Sequence, residues 1–489
     1  MLNKWKQTIS KFVCFVLICQ LFILTVWAKP DWPSDTGIMA EAGIVMDMDS
    51  GAILYGQNIH LTYPPASITK ILTALIVLEN CNLDDTVTFS TTAVNQVEAD
   101  SGNKISVVAG DELSVEDCLY SMLLVSCNQA ANALAEHTAG SISAFVDMMN
   151  EKLAQLGCQE SHFENPSGLN GDNQYVSAYD MALIAQAAYD NETLVEISSA
   201  TTHKIAPTTQ NPDGFTIRGE HRLCVTEDPS SPYYYPEAIA GKTGYLIKAG
   251  NTLVTYAVKD NRRLVSVILK GQPRQYFVDG KALLEFGFRS FQDYTVADYE
   301  SRYVTGNETI NLDKGSFQAS DLMIDPDSVI TLPNGASFED ADITLGALPE
   351  ISPDNAVALL TYSYNDRTIG TAYLLAKDGI IIDGDDSAAE AATTAFDTAN
   401  AEASLATASN AEKPQRPHKH ISVAGVLITI LIVLLILSVI GLISWFIYSK
   451  KKEAKALAER RERRRQRLQR SGDEEEFERL LAEYKNKKK

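Results

Sequence analysis

The stretch "PPASITKILTALIVLEN", Pro64 to Asn80, decides how the chain is read. Two prolines suit the entry to a helix, where a missing N–H costs little. The residues behind them, "ITKILTALIVLEN", read as an apolar helix. Residues three apart share a helical face, so Ser67 and Lys70 are expected side by side at the start of a largely buried helix. That placement has two readings. In one, Ser67 helps cap the helix and Lys70 snorkels to solvent. In the other, Lys70 is desolvated, its pKa falls, and the neutral amine takes the serine proton. S-x-x-K alone is common and does not choose between them.

The chain has 489 residues, enough for two or three domains. A formal net charge of -21 argues against a nucleic-acid partner for the bulk of it. At the start, Lys4, Lys6 and Lys11 precede an apolar run from Phe12 to Val26. Such a run, about fifteen residues long, is short for a membrane span and suits a signal-peptide core. Val26-Trp27-Ala28 offers a small-residue cleavage site, so residues 1–28 are expected to be removed; an uncleaved anchor is the alternative. Near the far end, Ser422 to Tyr448 carries no charge and is long enough to span a bilayer. Lys450, Lys451, Lys452 and an Arg-rich stretch follow it. The positive-inside rule then puts residues 449–489 in the cytoplasm and the chain from about Lys29 to Ile421 outside.

Between these ends, residues 37–275 read as one α/β domain. "EAGIVMDMDSGAILYGQN" alternates like a hairpin with Asp49-Ser50-Gly51 at its turn, helical patterns dominate from Ser67 to about Tyr189, and strands return around Asp260-Asn261. Residues 294–383, with segments such as "ALLTYSYNDRTIGTAYLLAKDG", read as a small all-β domain. Residues 384–420 are polar, Ala-rich and low in complexity, and are expected to act as a tether reaching about 30 Å as a coil. Seven cysteines, two of them in the signal segment, leave five outside without close spacing, which is not a disulfide framework. There is no C-x-x-C and no H-E-x-x-H, so no metal site is expected.

A serine nucleophile needs a base, a proton path to the leaving group and an oxyanion hole. None of the seven histidines sits in a triad context such as G-x-S-x-G, which returns attention to Lys70. Two further stretches matter. "MLLVSCNQAANALAEH" carries Ser126-Cys127-Asn128 into an Ala-rich helix, and "AIAGKTGYLIKAGNTLV" carries Lys242-Thr243-Gly244 into a strand. S-x-x-K, then S-x-N, then K-T-G, in order and well separated behind a signal peptide, is a strong joint signal. "GKT" at Gly241 to Thr243 is not a phosphate-binding loop, because Pro236 stands where that motif needs its first glycine.

On these motifs the sequence resembles the penicillin-binding, active-site-serine family, and more narrowly the low-molecular-mass D-alanyl-D-alanine carboxypeptidases of bacteria, serine peptidase family S11. The resemblance covers about residues 37 to 380 and is carried further by "GNKISVVAGDELSVEDCLYSMLLVSCNQAA" and "FENPSGLNGDNQYVSAYDMA". It implies a β-lactamase/transpeptidase-like fold, an antiparallel sheet with a helical lobe. The small β-domain and the C-terminal transmembrane helix would follow it. It implies Ser67 as the acylated nucleophile, Lys70 as its base and Ser126 as a proton relay to the departing D-alanine. Asn128 would hold the substrate amide, and Lys242 and Thr243 would bind the terminal carboxylate. Gly244 would let the substrate lie along the strand edge as an added strand. The backbone N–H groups of Ser67 and Tyr245 would form the oxyanion hole. Peptidoglycan pentapeptide stems are the implied substrates and β-lactams the implied inhibitors, with no cofactor and no metal.

Three departures from the family pattern bear on substrate preference and turnover: Cys127 inside the S-x-N triplet, Ser167 in "NPSGL" where many relatives carry His, and Tyr245 after K-T-G. A buried, inert thiol and a reactive one are both open for Cys127. Two rival functions remain. A β-lactamase needs a carboxylate for deacylation, and Glu164 is the one candidate, outside the fuller E-x-x-L-N pattern. A non-catalytic peptidoglycan-binding scaffold would use the Arg-rich tail to dock an unknown cytoplasmic partner; a solvated stop-transfer tail is the plainer reading.

Overall fold

A computed structural model describes residues 29–34, 37–98, 101–349 and 351–380. The signal segment, the tether 384–420, the apolar run 422–448 and the tail 449–489 lie outside the described residues. Among the described residues no helix is long and apolar enough to cross a membrane.

Alternating apolar residues at both ends of the first region build one five-stranded antiparallel sheet. Its order is Ile53–Gln57, Ala42–Asp47, Arg262–Gly271, Gly250–Lys259, Ala238–Leu246. All six residues of Ala42–Asp47 are buried, as expected of a strand with both faces covered. Ile44 and Met46 enter the core shared with the helices, while Val45 enters a second core with Leu54, Leu283 and Phe286, following the two-residue alternation of side chains. Asp260 and Asn261 turn the central hairpin with φ of 50° and 64°, the left-handed conformations a tight hairpin turn requires and that Asn and Asp tolerate.

Helices Lys70–Asn80, Val115–Leu124, Asn128–Ala139 and Ala178–Tyr189 form the lobe on one face. Side-chain caps start most of them: Ser114 accepts from Asp117 N and Ser177 from Asp180 N. The sequence reading left residues 276–293 outside either domain. The structure places a sixteen-residue helix there, Gln275–Ser290, whose Phe277, Leu283, Leu284 and Phe286 cover the sheet's other face.

Ser67 differs from expectation. It does not open the α-helix but sits in a 3₁₀ turn, Ala66–Thr69, and the α-helix begins at Lys70. Ala66 has φ of 53°, so the backbone turns after the prolines instead of running straight in. Side chains three apart eclipse in a 3₁₀ turn, which sets Ser67 and Lys70 closer to one line than an α-helix would.

Residues 291–376 form a second set of short strands. A four-stranded antiparallel sheet runs in the order Leu322–Ile324, Arg367–Ala376, Ala356–Tyr364, Asp342–Gly346, around Leu360, Tyr362, Ile369 and Leu374. One helical turn, Val296–Tyr299, lies among them. The strand pair Phe291–Thr295 and Val329–Pro333 meets the first sheet through Arg262, whose Nε donates to Asp293 Oδ2 at 2.8 Å and Nη2 to Asp47 Oδ2 at 3.0 Å.

Candidate active site

Four pieces of chain converge at the edge of the first sheet. The 3₁₀ turn brings Ser67 and the helix behind it brings Lys70. The start of Asn128–Ala139 brings Asn128, and a loop stretch, "NPSGL", brings the carbonyl of Ser167. Lys70 Nζ lies 3.0 Å from Ser67 Oγ and 2.8 Å from Asn128 Oδ1, and it also donates to Ser167 O. Lys70 is wholly buried. Burial holds its pKa well below the ordinary lysine value, the positive charge of Lys242 pushes the same way, and Cys127 opposes weakly. A neutral amine has two N–H bonds and one lone pair. Here Asn128 Oδ1 and Ser167 O accept the two hydrogens, which leaves the lone pair for the Ser67 hydroxyl.

The segment between two helices fixes Asn128. Val125 ends Val115–Leu124, and Ser126 takes φ of 63°, so the chain reverses sharply into Asn128–Ala139. Cys127 caps that helix, its Sγ accepting from Ala130 N at 3.5 Å. It is fully buried, and burial pushes the thiol up to about 11; a thiol in that state is inert, which decides between the two readings of Cys127. Ser126 is half-buried, and among the described residues its hydroxyl hydrogen-bonds to neither lysine.

The third wall is Ala238–Leu246, the edge strand, with its outer side unpaired among the described residues. Lys242 lies opposite Val254. It is 2% exposed, and its Nζ donates to Thr243 O at 2.9 Å. Burial brings Lys242 down to about 8, with Glu220 pulling up and Lys104 pulling down. Thr243 is half-buried and Tyr245 is 63% exposed. Gly244 has a reason internal to the protein as well as the expected one: a Cβ there would collide with Thr252 Oγ1 and stand 2.8 Å from Ser67 N. Thr252 in turn donates to Pro65 O at 2.9 Å, so strand and turn are locked together and the edge strand runs beside the serine.

Two contributors escaped the sequence reading. The Ser167 carbonyl was invisible because any residue has a carbonyl. The signal for it was turn chemistry: Asn165 Oδ1 accepts from Ser167 Oγ, Gly168 N and Leu169 N at 3.0, 2.8 and 3.1 Å, an Asx-type turn. Gly168, with φ of 82°, lies against Ala66, where a Cβ would collide with the Ala66 carbonyl. The other is His221, buried behind the edge strand, with Nε2 3.1 Å from Val254 O and Nδ1 3.2 Å from Cys224 Sγ. Burial brings it down to about 4, the Val254 carbonyl pulls the other way, and Lys242 adds to the fall. It is therefore a neutral support under Lys242. Glu164 is exposed and accepts from Asn173 N at 3.1 Å.

Comparison with known proteins agrees with this geometry. The sequence model of the D-alanyl-D-alanine carboxypeptidase family, Peptidase_S11, matches residues 29–272. D-alanyl-D-alanine carboxypeptidase DacB2 of Mycobacterium tuberculosis is 35% identical over 265 residues, covering 53% of this chain and 84% of the relative. D-alanyl-D-alanine carboxypeptidase DacA of Haemophilus influenzae is 30% identical over 357 residues, covering 69% and 84%. Among solved structures, penicillin binding protein 5 from Haemophilus influenzae aligns over 71% of this chain and 98% of its own, with 25% identity and a TM-score of 0.54. With Ser67, Lys70 and Asn128 hydrogen-bonded together and Gly244 packed against the turn that carries Ser67, the chain belongs to the D-alanyl-D-alanine carboxypeptidase family.

Proposed function

We propose that this chain is a penicillin-binding serine peptidase that removes the terminal D-alanine from peptidoglycan pentapeptide stems. The observation that carries the reading is the bonding of Lys70: a buried amine with two hydrogens committed elsewhere and its third direction facing Ser67 Oγ. Ser67 Oγ attacks the carbonyl of the penultimate D-alanine as Lys70 takes its proton. The backbone N–H groups of Ser67 and Tyr245 hold the developing oxyanion. The proton passes from Lys70 to the leaving nitrogen through the Ser126 hydroxyl, which bonds to neither lysine among the described residues. The C–N bond breaks and D-alanine leaves. Water, deprotonated by the same amine, then cleaves the Ser67 ester.

Lys242, at about 8, is mainly protonated at neutral pH and supplies the charge that binds the free carboxylate with Thr243. Asn128 Nδ2 faces the substrate amide, since its Oδ1 is held by Lys70. In this reading residues 37–275 with the following helix are the catalytic domain and 294–383 an appended β-domain. The chain is exported through residues 1–28 and held in a bacterial cell membrane by 422–448, with 449–489 in the cytoplasm. The apolar and basic runs of the sequence support that topology.

The test is a fluorescent penicillin added to the full chain, with the labelled peptide mapped by mass spectrometry and D-alanine release from diacyl-Lys-D-Ala-D-Ala followed in parallel. Stable label on Ser67 with D-alanine release is the expected result. Rapid loss of label would indicate a β-lactamase, and neither label nor release would indicate a binding scaffold.

A further inference from the structure

Beside the serine site is a cavity of about 430 Å³ to which the reaction assigns no role. It shares a wall with the base: Ser167, whose carbonyl accepts from Lys70 Nζ, lines it. Asn132 lines it too, four residues after Asn128 and so on the same face of one helix, about one 5.4 Å turn further along. Through Ser167 and Asn132 the cavity neighbours the segments that hold Lys70 and Asn128.

The lining is built, and its charge has one sign. Glu98 and Glu164 both line it, and among the described residues no lysine, arginine or histidine does. Glu98 is tied to another lining residue, its carboxylate accepting from Asn170 N at 2.7 Å and Asn170 Nδ2 at 2.9 Å. Among the described residues both carboxylates thus meet only neutral donors, Asn170 for Glu98 and Asn173 N for Glu164. Asn132 is 2% exposed. Its Nδ2 donates to Ala93 O and Gln96 O, while its Oδ1 accepts no hydrogen bond among the described residues. An amide oxygen that accepts nothing among the described residues, in a cavity lined by two carboxylates, is best matched by a donor that is also a cation.

We propose that this cavity takes the side-chain ammonium of the diamino acid preceding the D-alanyl-D-alanine end of the stem, and favours a diamino acid with no free carboxylate at its far end. The assignment rests on the carboxypeptidase reading and names its acyl-side specificity. The stem lies along the edge strand, its amide on Asn128. The next side chain toward the amino end, a four-carbon stem with a point charge, spans about one helical turn and ends among Asn132 Oδ1, Glu98 and Glu164. The lysyl ammonium fits there. A free meso-diaminopimelyl end brings a carboxylate against two others.

The test uses the full chain and three donors ending in D-Ala-D-Ala: α-acetyl-L-lysyl, α,ε-diacetyl-L-lysyl and α-acetyl-meso-diaminopimelyl. The expected result is a kcat/KM about tenfold higher for the free ammonium than for its ε-acetyl form, carried by KM, with the diaminopimelyl donor below the free lysyl one. In the Glu98→Gln, Glu164→Gln double variant the first ratio should fall to about one. Equal kcat/KM for the two lysyl donors on the unaltered chain, with D-alanine released from both, would overturn the cavity assignment and leave the reaction standing. A ratio that survives the double substitution would overturn it too. Release from no donor would overturn the reaction reading and the cavity with it.

Discussion

Lys70 and Arg262 both carry a basic head group into the interior, one beside the reactive serine and one where the two sheets meet. Among the described residues Lys70 has no carboxylate partner, only a hydroxyl, an amide oxygen and a carbonyl. Arg262 has two, Asp47 and Asp293, and also donates to Phe291 O at 3.0 Å. The difference in partners sets the difference in charge. Burial without a counter-charge drives the lysine toward its neutral form, and Lys242 adds to that. The two aspartates outweigh the burial of the guanidinium and raise its pKa. One site is built to lose a proton and do chemistry, the other to keep its charge and hold two sheets together. Thr331 extends the second site, donating to Asp293 Oδ1 at 2.9 Å and meeting Ser50 Oγ at 2.7 Å.

Substitutions at the two sites should separate activity from stability. Lys70→Ala should lower the rate of penicillin acylation by about 10³-fold or more, the scale of a missing general base, while the urea midpoint shows the chain still folded. Normal acylation in that variant would remove Lys70 as the base. Arg262→Met should do the reverse. It leaves Asp47 and Asp293 facing each other without a cation, and breaking a buried pair costs about 3–5 kcal/mol, read as a fall in the urea midpoint with acylation retained in the folded fraction. An unchanged midpoint would reduce the junction to ornament.

Asp47 adds a pH signature to the junction. Burial pushes it up to about 7, Asp293 adds to that, and Arg262 and the Ser50 N–H pull it back. A carboxyl that holds its proton more tightly folded than unfolded contributes stability that is complete below its ordinary value of 3.8 and is lost as pH rises toward 7. The loss is on the order of a few kcal/mol. Stability of Asp47→Asn should therefore change less between those pH values than that of the unaltered chain; parallel curves would contradict the assignment. Lys242→Ala should raise KM about tenfold or more for donors with a free terminal carboxylate and less for amidated ones. In the unaltered chain, that KM should climb as pH passes about 8, where Lys242 loses its proton. The smallest effect is expected at Cys127. Cys127→Ser should leave acylation within about a factor of three, since the thiol caps a helix and donates to Gln129 Oε1, both of which a hydroxyl can do, and a thiol reagent should not label it in the folded chain.

Much of this was legible because the chemistry depends on side-chain types at short spacings. Ser67 with Lys70, Ser126 with Asn128, and Lys242 through Gly244 announce themselves in sequence, as do the turns at Asp49–Gly51 and Asp260-Asn261. What the sequence hid was backbone and long-range pairing. The third partner of Lys70 is a carbonyl 97 residues away. Arg262 finds Asp47 across 215 residues. His221 reads as one of seven histidines until the fold slides it under the strand that carries Lys242. The helix Gln275–Ser290 was missed because the apolar signal before it reads as strand and the one after it as strand again. In sequence Gly244 speaks only for substrate approach, since nothing local reveals how near Ser67 N lies.

The most direct test of the account is the pH dependence of penicillin acylation of Ser67 in the full chain, paired with the titration of its lysines labelled with ¹³C at Cε. A neutral Lys70 predicts that the acid limb of the acylation rate falls well below the ordinary lysine range and matches one lysine resonance that titrates there, absent in Lys70→Ala. An acid limb near 10.5, the ordinary lysine value, with the resonance that disappears in Lys70→Ala titrating no lower, would mean that Lys70 stays charged and that the proton of Ser67 goes elsewhere.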